Sequence, residues 1–120
     1  MALTVLHHQL VETQVEAFSN SIGATPVAAS VRSPFRGRIV KVGVVQNVTA
    51  TGTVTVTSAI NGVTVTGGTI VIPTGGSPGL HSSVTPTGAN AVAEDDVISF
   101  TPAGATGTTT GSFYAVIKKA

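Results

Sequence analysis

Thr53–Pro73 reads TVTVTSAINGVTVTGGTIVIP, and its alternation decides the fold class. Val54, Val56 and Ile60 share one parity while Thr53, Thr55 and Thr57 share the other, the period-two signature of a strand with one buried and one wetter face. Asn61-Gly62 follows at once. That pair takes positive φ at both central positions at little cost, so it predicts a type I′ turn joining Thr53–Ile60 to Val63–Thr66. Gly67-Gly68 predicts a break, and Thr69–Ile72 a further strand closed by Pro73. The expectation is an antiparallel β-meander. Residue types alone take this stretch no further than an all-β domain without a visible active site.

The chain of 120 residues suits one domain with a single core, needing neither metal nor disulfide. Hydrophobic residues make up 42% and charged residues only 9%, against roughly 25% charged in ordinary soluble domains. Thr, Ser and Gly replace the missing charge, a composition suited to β surfaces that another protein covers. A net charge of +1 offers no basic field for nucleic acid or an acidic membrane. The absence of cysteine removes disulfides and thiolate metal sites together. MALTVLHHQLVETQ has no basic n-region and no long apolar run, so no secretory signal is expected, and no apolar stretch approaches the length of a membrane span.

Outward from the central stretch, Met1–Thr25 forms a candidate N-terminal arm or first strand, with residues 26–120 as the β domain. Within Leu3–Phe18, Leu3, Leu6, Leu10 and Phe18 would line a helix, and LTVLHHQLV would equally make a strand; strand or extended arm is the reading adopted. Val27–Arg32 predicts a short strand ended by Ser33-Pro34. In IVKVGVVQNV, Ile39 and Val45 fall on one parity and Val40, Val42 and Val44 on the other, as in a central strand or one whose outer face meets another subunit. Leu80–Thr85, Val97–Thr101 and Ser112–Lys118 predict further strands, the last with Phe113, Ala115 and Ile117 on one face. Thr74–Gly79, Pro86–Asn90 and Pro102–Gly111 predict turns and loops. Seven to nine short strands between Gly/Pro turns point to an antiparallel β-sandwich or jelly roll.

No catalytic, metal or cofactor site is expected. Glu94-Asp95-Asp96 lacks the spacing of a calcium loop and reads as a turn before a buried strand. Adjacent His7 and His8 diverge on a strand, and they and His81 read as surface or interface histidines. There is no G-x-S-x-G elbow, P-loop or dinucleotide fingerprint. Phe18, Phe35, Phe100, Phe113 and Tyr114 are expected to fill the core. Arg32, Arg36 and Arg38 lie close together; on a strand Arg36 and Arg38 would share a face able to receive carboxylates of a neighbouring chain, or simply keep an uncharged edge soluble.

SPFRGRIVKVGVV, SAINGVTVTGGTIVIP, TPTGANAVAEDDVISF and FYAVIK together resemble a group of small tailed-phage virion proteins, the capsid decoration or cement proteins. The shared pattern is a Ser-Pro-x-x-Gly strand entry, an Ile-Asn-Gly hairpin followed by Thr-Gly-Gly, a Pro-Thr-Gly-Ala-Asn turn and a Gly-Asp-Val-Ile strand start. Asp95 departs from it, standing where the pattern has Gly. The resemblance spans Ser33–Lys118. It implies a β-sandwich or jelly-roll subunit on the capsid exterior, with the major capsid protein and itself as homotrimer for partners, and no nucleic acid, membrane or cofactor. Such a protein is made in the host cytoplasm. Interface residues are then expected at Leu3, Val5, Leu6 and Leu10 in the arm and at Arg32, Arg36 and Arg38, while Asn61, Gly62, Gly67 and Gly68 shape the hairpin. The rival expectation is a carbohydrate- or receptor-binding sandwich module of a phage fibre or bacterial surface protein.

Overall fold

The structure, a computed structural model, describes residues 12–19, 22–23, 25–47, 51–75, 77–104 and 110–120. Leu3, Val5, Leu6, Leu10 and His7-His8 lie outside the described residues. Among the described residues nine strands run β1 (Glu12–Ser19), β2 (Ala29–Arg32), β3 (Gly37–Gln46), β4 (Val54–Ile60), β5 (Val63–Ile72), β6 (His81–Val84), β7 (Ala91–Val92), β8 (Val97–Ala103) and β9 (Gly111–Lys119). One sheet has the order β1-β9-β3-β6, with β7 also on β3; the other has the order β2-β8-β4-β5. The pairs within both sheets are antiparallel. With the two-residue β7 set aside, the chain crosses between the sheets at every step but the β4–β5 hairpin, in jelly-roll order. The fold class expected from the sequence is the one observed.

The β4–β5 hairpin is built as its alternation demands. Val54, Val56 and Ile60 are buried, and Asn61 and Gly62 take φ of 49° and 85°, the signs a type I′ turn requires. The expected break at Gly67-Gly68 is not there, and the meander is a two-stranded hairpin: β5 continues through both glycines. The register shifts between Thr57 and Ala59, so that Ser58 faces a bulge containing Gly67 and Gly68. Buried Ser58 donates its hydroxyl to the Gly68 carbonyl at 2.6 Å, and a Cβ on Gly68 would lie 2.3 Å from Ser58 Oγ. The glycines bend the strand and make room for a polar side chain without ending it. Across the bend, Thr66 pairs with Gly88 through its N–H at 3.0 Å.

Phe100 of β8 stacks on Phe113 of β9 with centroids 5.1 Å apart and planes 8° from parallel, joining the two sheets at the centre of the core. Ile39, Val42, Val44, Ile98, Ala115 and Ile117 surround them. β3 is central, as expected, but its two-parity apolar pattern has a local cause. A bulge between Ile39 and Lys41 switches parity, placing Ile39 on the same inner face as Val42 and Val44. β8 runs past Pro102, which was expected to open a loop. Pro102 faces Val56 of β4 and lies beyond Phe100, the last β8 residue paired with β2, where a missing N–H breaks no second ladder.

The described part of the expected arm is β1, an edge strand paired along its length with β9, and Ile22 beyond it is fully buried. Phe18 does not fill the core. It points outward from β1 with 56% exposure, because Val15, Ala17 and Ser19 take the inner parity. Tyr114 also lies on the outer face of its sheet. Among the described residues no helix is long and apolar enough to cross a membrane.

Candidate functional site

The three arginines that stand close in sequence separate in space. Arg32 ends β2 in one sheet, and its Nη1 sits 3.3 Å from Asp95 Oδ1, with the two side chains 74% and 68% exposed. Arg36 lies in the turn before β3, where its carbonyl accepts the Ala120 N–H at 3.1 Å. Arg38 is on β3 in the other sheet, directly opposite Lys118 of β9, and Gly37 is opposite Lys119. Arg36, Arg38, Lys118 and Lys119 are all exposed, and they account for four of the chain's six Lys and Arg residues. Gly37, Arg38, Ala91, Lys118, Lys119 and Ala120 line a groove of about 390 Å³ at this end. Glu12, the cross-strand neighbour of Lys118 on β1, is the nearest acid along the strand register, and no ion pair joins them. Lys118 and Lys119 escaped the sequence reading because nothing local links them to Arg38; only the β3–β9 pairing does.

The Asn61-Gly62 turn is tied to the acidic turn before β8. Asn61 donates Nδ2 to Asp96 Oδ1 at 2.9 Å and accepts the Val97 N–H on Oδ1 at 2.9 Å. Asp96 Oδ2 accepts the Ala93 N–H at 2.8 Å. The Ala93 amide, followed by the Asn61 amide, holds the Asp96 carboxyl below the usual carboxylate range. Asp95 adopts φ of 71°, the left-handed conformation glycine adopts freely, so the turn keeps the backbone shape that Gly would give it. Glu94, Asp95 and Asp96 therefore build a turn. Among the described residues no group of three or more His, Cys, Asp or Glu could hold a metal ion.

A second groove, of about 550 Å³, opens on the outer face of the β1-β9-β3-β6 sheet. Tyr114 of β9 is opposite Gly43 of β3 and leans over it; a Cβ on Gly43 would lie 2.4 Å from the ring. The hydroxyl at the far end of the ring is hydrogen-bonded to His81 Nε2 on β6, and the two rings lie 5.5 Å apart at 34°. Gln14 and Glu16 of β1 line the other side, with Gln14 Nε2 donating to Glu16 Oε1 at 2.8 Å, and Val45 and Ser112 lie between. The sequence gives each of these residues singly. What hides the group is its spread over four strands, all of them adjacent only through the jelly-roll order. No protein-family model matches the chain, and no curated protein matches it.

Proposed function

We propose that this chain is a structural protein of a tailed-phage virion: a head decoration protein that binds the outer capsid surface as a homotrimer and braces the expanded head. The observation that carries this reading is the placement of charge. In a chain with 9% charged residues, four of six cations gather at one end of β3 and β9 on an otherwise Ser/Thr-rich sandwich. Such a patch suits directed contact with carboxylates on another protein, where arginine forks pair bidentately. With a net charge of +1 there is little long-range pull on a polyanion, so the partner is the major capsid protein rather than nucleic acid. The resemblance of Ser33–Lys118 to decoration proteins supports the same partner.

The action is adhesive, with no catalytic step and no cofactor. A trimer touching several capsid subunits links individually weak contacts and gains avidity from their connection. Arg36, Arg38, Lys118 and Lys119 supply the charged contacts, and Leu3, Val5, Leu6 and Leu10 supply apolar ones. Light scattering of the purified chain should give a mass near three times 11.9 kDa; a single-chain mass at all concentrations would remove the trimer. The rival reading, a carbohydrate-binding module, draws on the Tyr114 groove, and one protein can do both.

A further inference from the structure

We propose that the groove on the outer face of the β1-β9-β3-β6 sheet is a binding site for a neutral pyranose sugar, with Tyr114 as its stacking platform. This goes beyond capsid attachment and does not depend on it, since the basic groove and the Tyr114 groove are lined by different residues.

A pyranose ring presents two chemistries, an apolar face of C–H bonds and a rim of hydroxyls. A matching site needs a flat ring held still, bordered by groups that both donate and accept hydrogen bonds. Gly43 supplies the first condition: lacking a Cβ, it lets the Tyr114 ring lie against the sheet, where any larger residue would lift it. The His81 hydrogen bond fixes the far end of the ring. Little rotamer freedom remains to be lost on stacking.

The border supplies the second condition. The Gln14–Glu16 hydrogen bond uses one amide N–H and one carboxylate oxygen. The Gln14 carbonyl, its second N–H and the other Glu16 oxygen remain for ligand hydroxyls. Ser112 adds a hydroxyl within the groove, and Phe18, opposite Ser112 on β1, is exposed. The volume of about 550 Å³ falls in the ~300–1,000 Å³ range of small-molecule sites. The lining includes Glu16 and no Lys or Arg. An acidic sugar or a phosphate would meet that carboxylate with no Lys or Arg in the lining to offset it, so the ligand class is neutral.

The chain has one tyrosine and no tryptophan, so its intrinsic fluorescence reports on Tyr114 alone. Titrate the full chain with the methyl pyranosides of glucose, galactose, mannose and N-acetylglucosamine, with N-acetylneuraminic acid as the charged comparator. The expected result is a saturable fluorescence change with at least one neutral glycoside and none with the acid. Saturation-transfer NMR should show that ligand losing binding more than tenfold in Gln14→Ala, a change at an exposed position on an edge strand. Tyr114→Ala should abolish it in protein whose thermal melt stays cooperative, while Tyr114→Phe, which keeps the ring, should retain it. Silence across the neutral panel, or binding indifferent to both Gln14→Ala and Tyr114→Ala, would overturn the proposal. So would a drop in oligomer mass caused by Tyr114→Ala, which would assign this face to contact between copies of the chain.

Discussion

At the scale of single residues, two positions test the hairpin and its anchor. A Cβ on Gly62 would meet nothing within 4 Å, yet the residue stands at φ of 85°. Gly62→Val should therefore cost ~1–2 kcal/mol through backbone strain alone, read as a lower urea midpoint with an unchanged slope. Asp96 tests the anchor by pH. Its carboxyl is held below its unfolded value, about 3.9, so the stabilisation is complete above that pH and is lost as pH falls through the folded value. Urea midpoints taken from pH 7 down to pH 2 should fall below about pH 4, and less steeply in Asp96→Asn; parallel curves would show that Asp96 contributes nothing. The Asn61-Gly62 turn was legible because its chemistry is local. The bond from Asn61 to Asp96, 35 residues away, was not, because no sequence pattern reports which turns share one end of a sandwich.

At the scale of elements, alternation identified the strands and missed their irregularities. Gly67-Gly68 and the Ile39–Lys41 shift are both bulges, which insert residues without ending a strand, and a parity pattern reads an inserted residue as a break or as a second apolar face. Pro102 misled in the opposite direction, since whether a strand tolerates proline depends on whether a neighbour pairs with it there. Residue type alone places Phe18 in the core, and the parity of β1 excludes it. The β5 bulge makes a quantitative claim. Gly68→Ala should cost ~1–3 kcal/mol from the clash with the buried Ser58 hydroxyl. The same change in a Ser58→Ala background should cost less, because the clashing oxygen is gone. Additive losses in that double-mutant cycle would mean that Ser58 and Gly68 do not share the bulge.

At the scale of the whole molecule, the sandwich follows from strand number and turn spacing, while the order of strands within each sheet does not. That order gathers Arg36, Arg38, Lys118 and Lys119 from the two halves of the chain and sends Arg32 to the opposite sheet. It also sets Tyr114 on Gly43 beside His81. Both candidate surfaces are thus products of long-range pairing, which explains why Arg36 and Arg38 were legible as candidates and their lysine partners were not. The decoration role is tested most directly by co-sedimentation of the full chain with expanded phage heads that lack it, beside an Arg36→Glu/Arg38→Glu/Lys118→Glu variant with an unchanged thermal melt. The expected result is saturable pelleting of the native chain, weakened by added salt and lost in the variant. Failure of the native chain to pellet with heads, or equal pelleting of the two proteins, would contradict it.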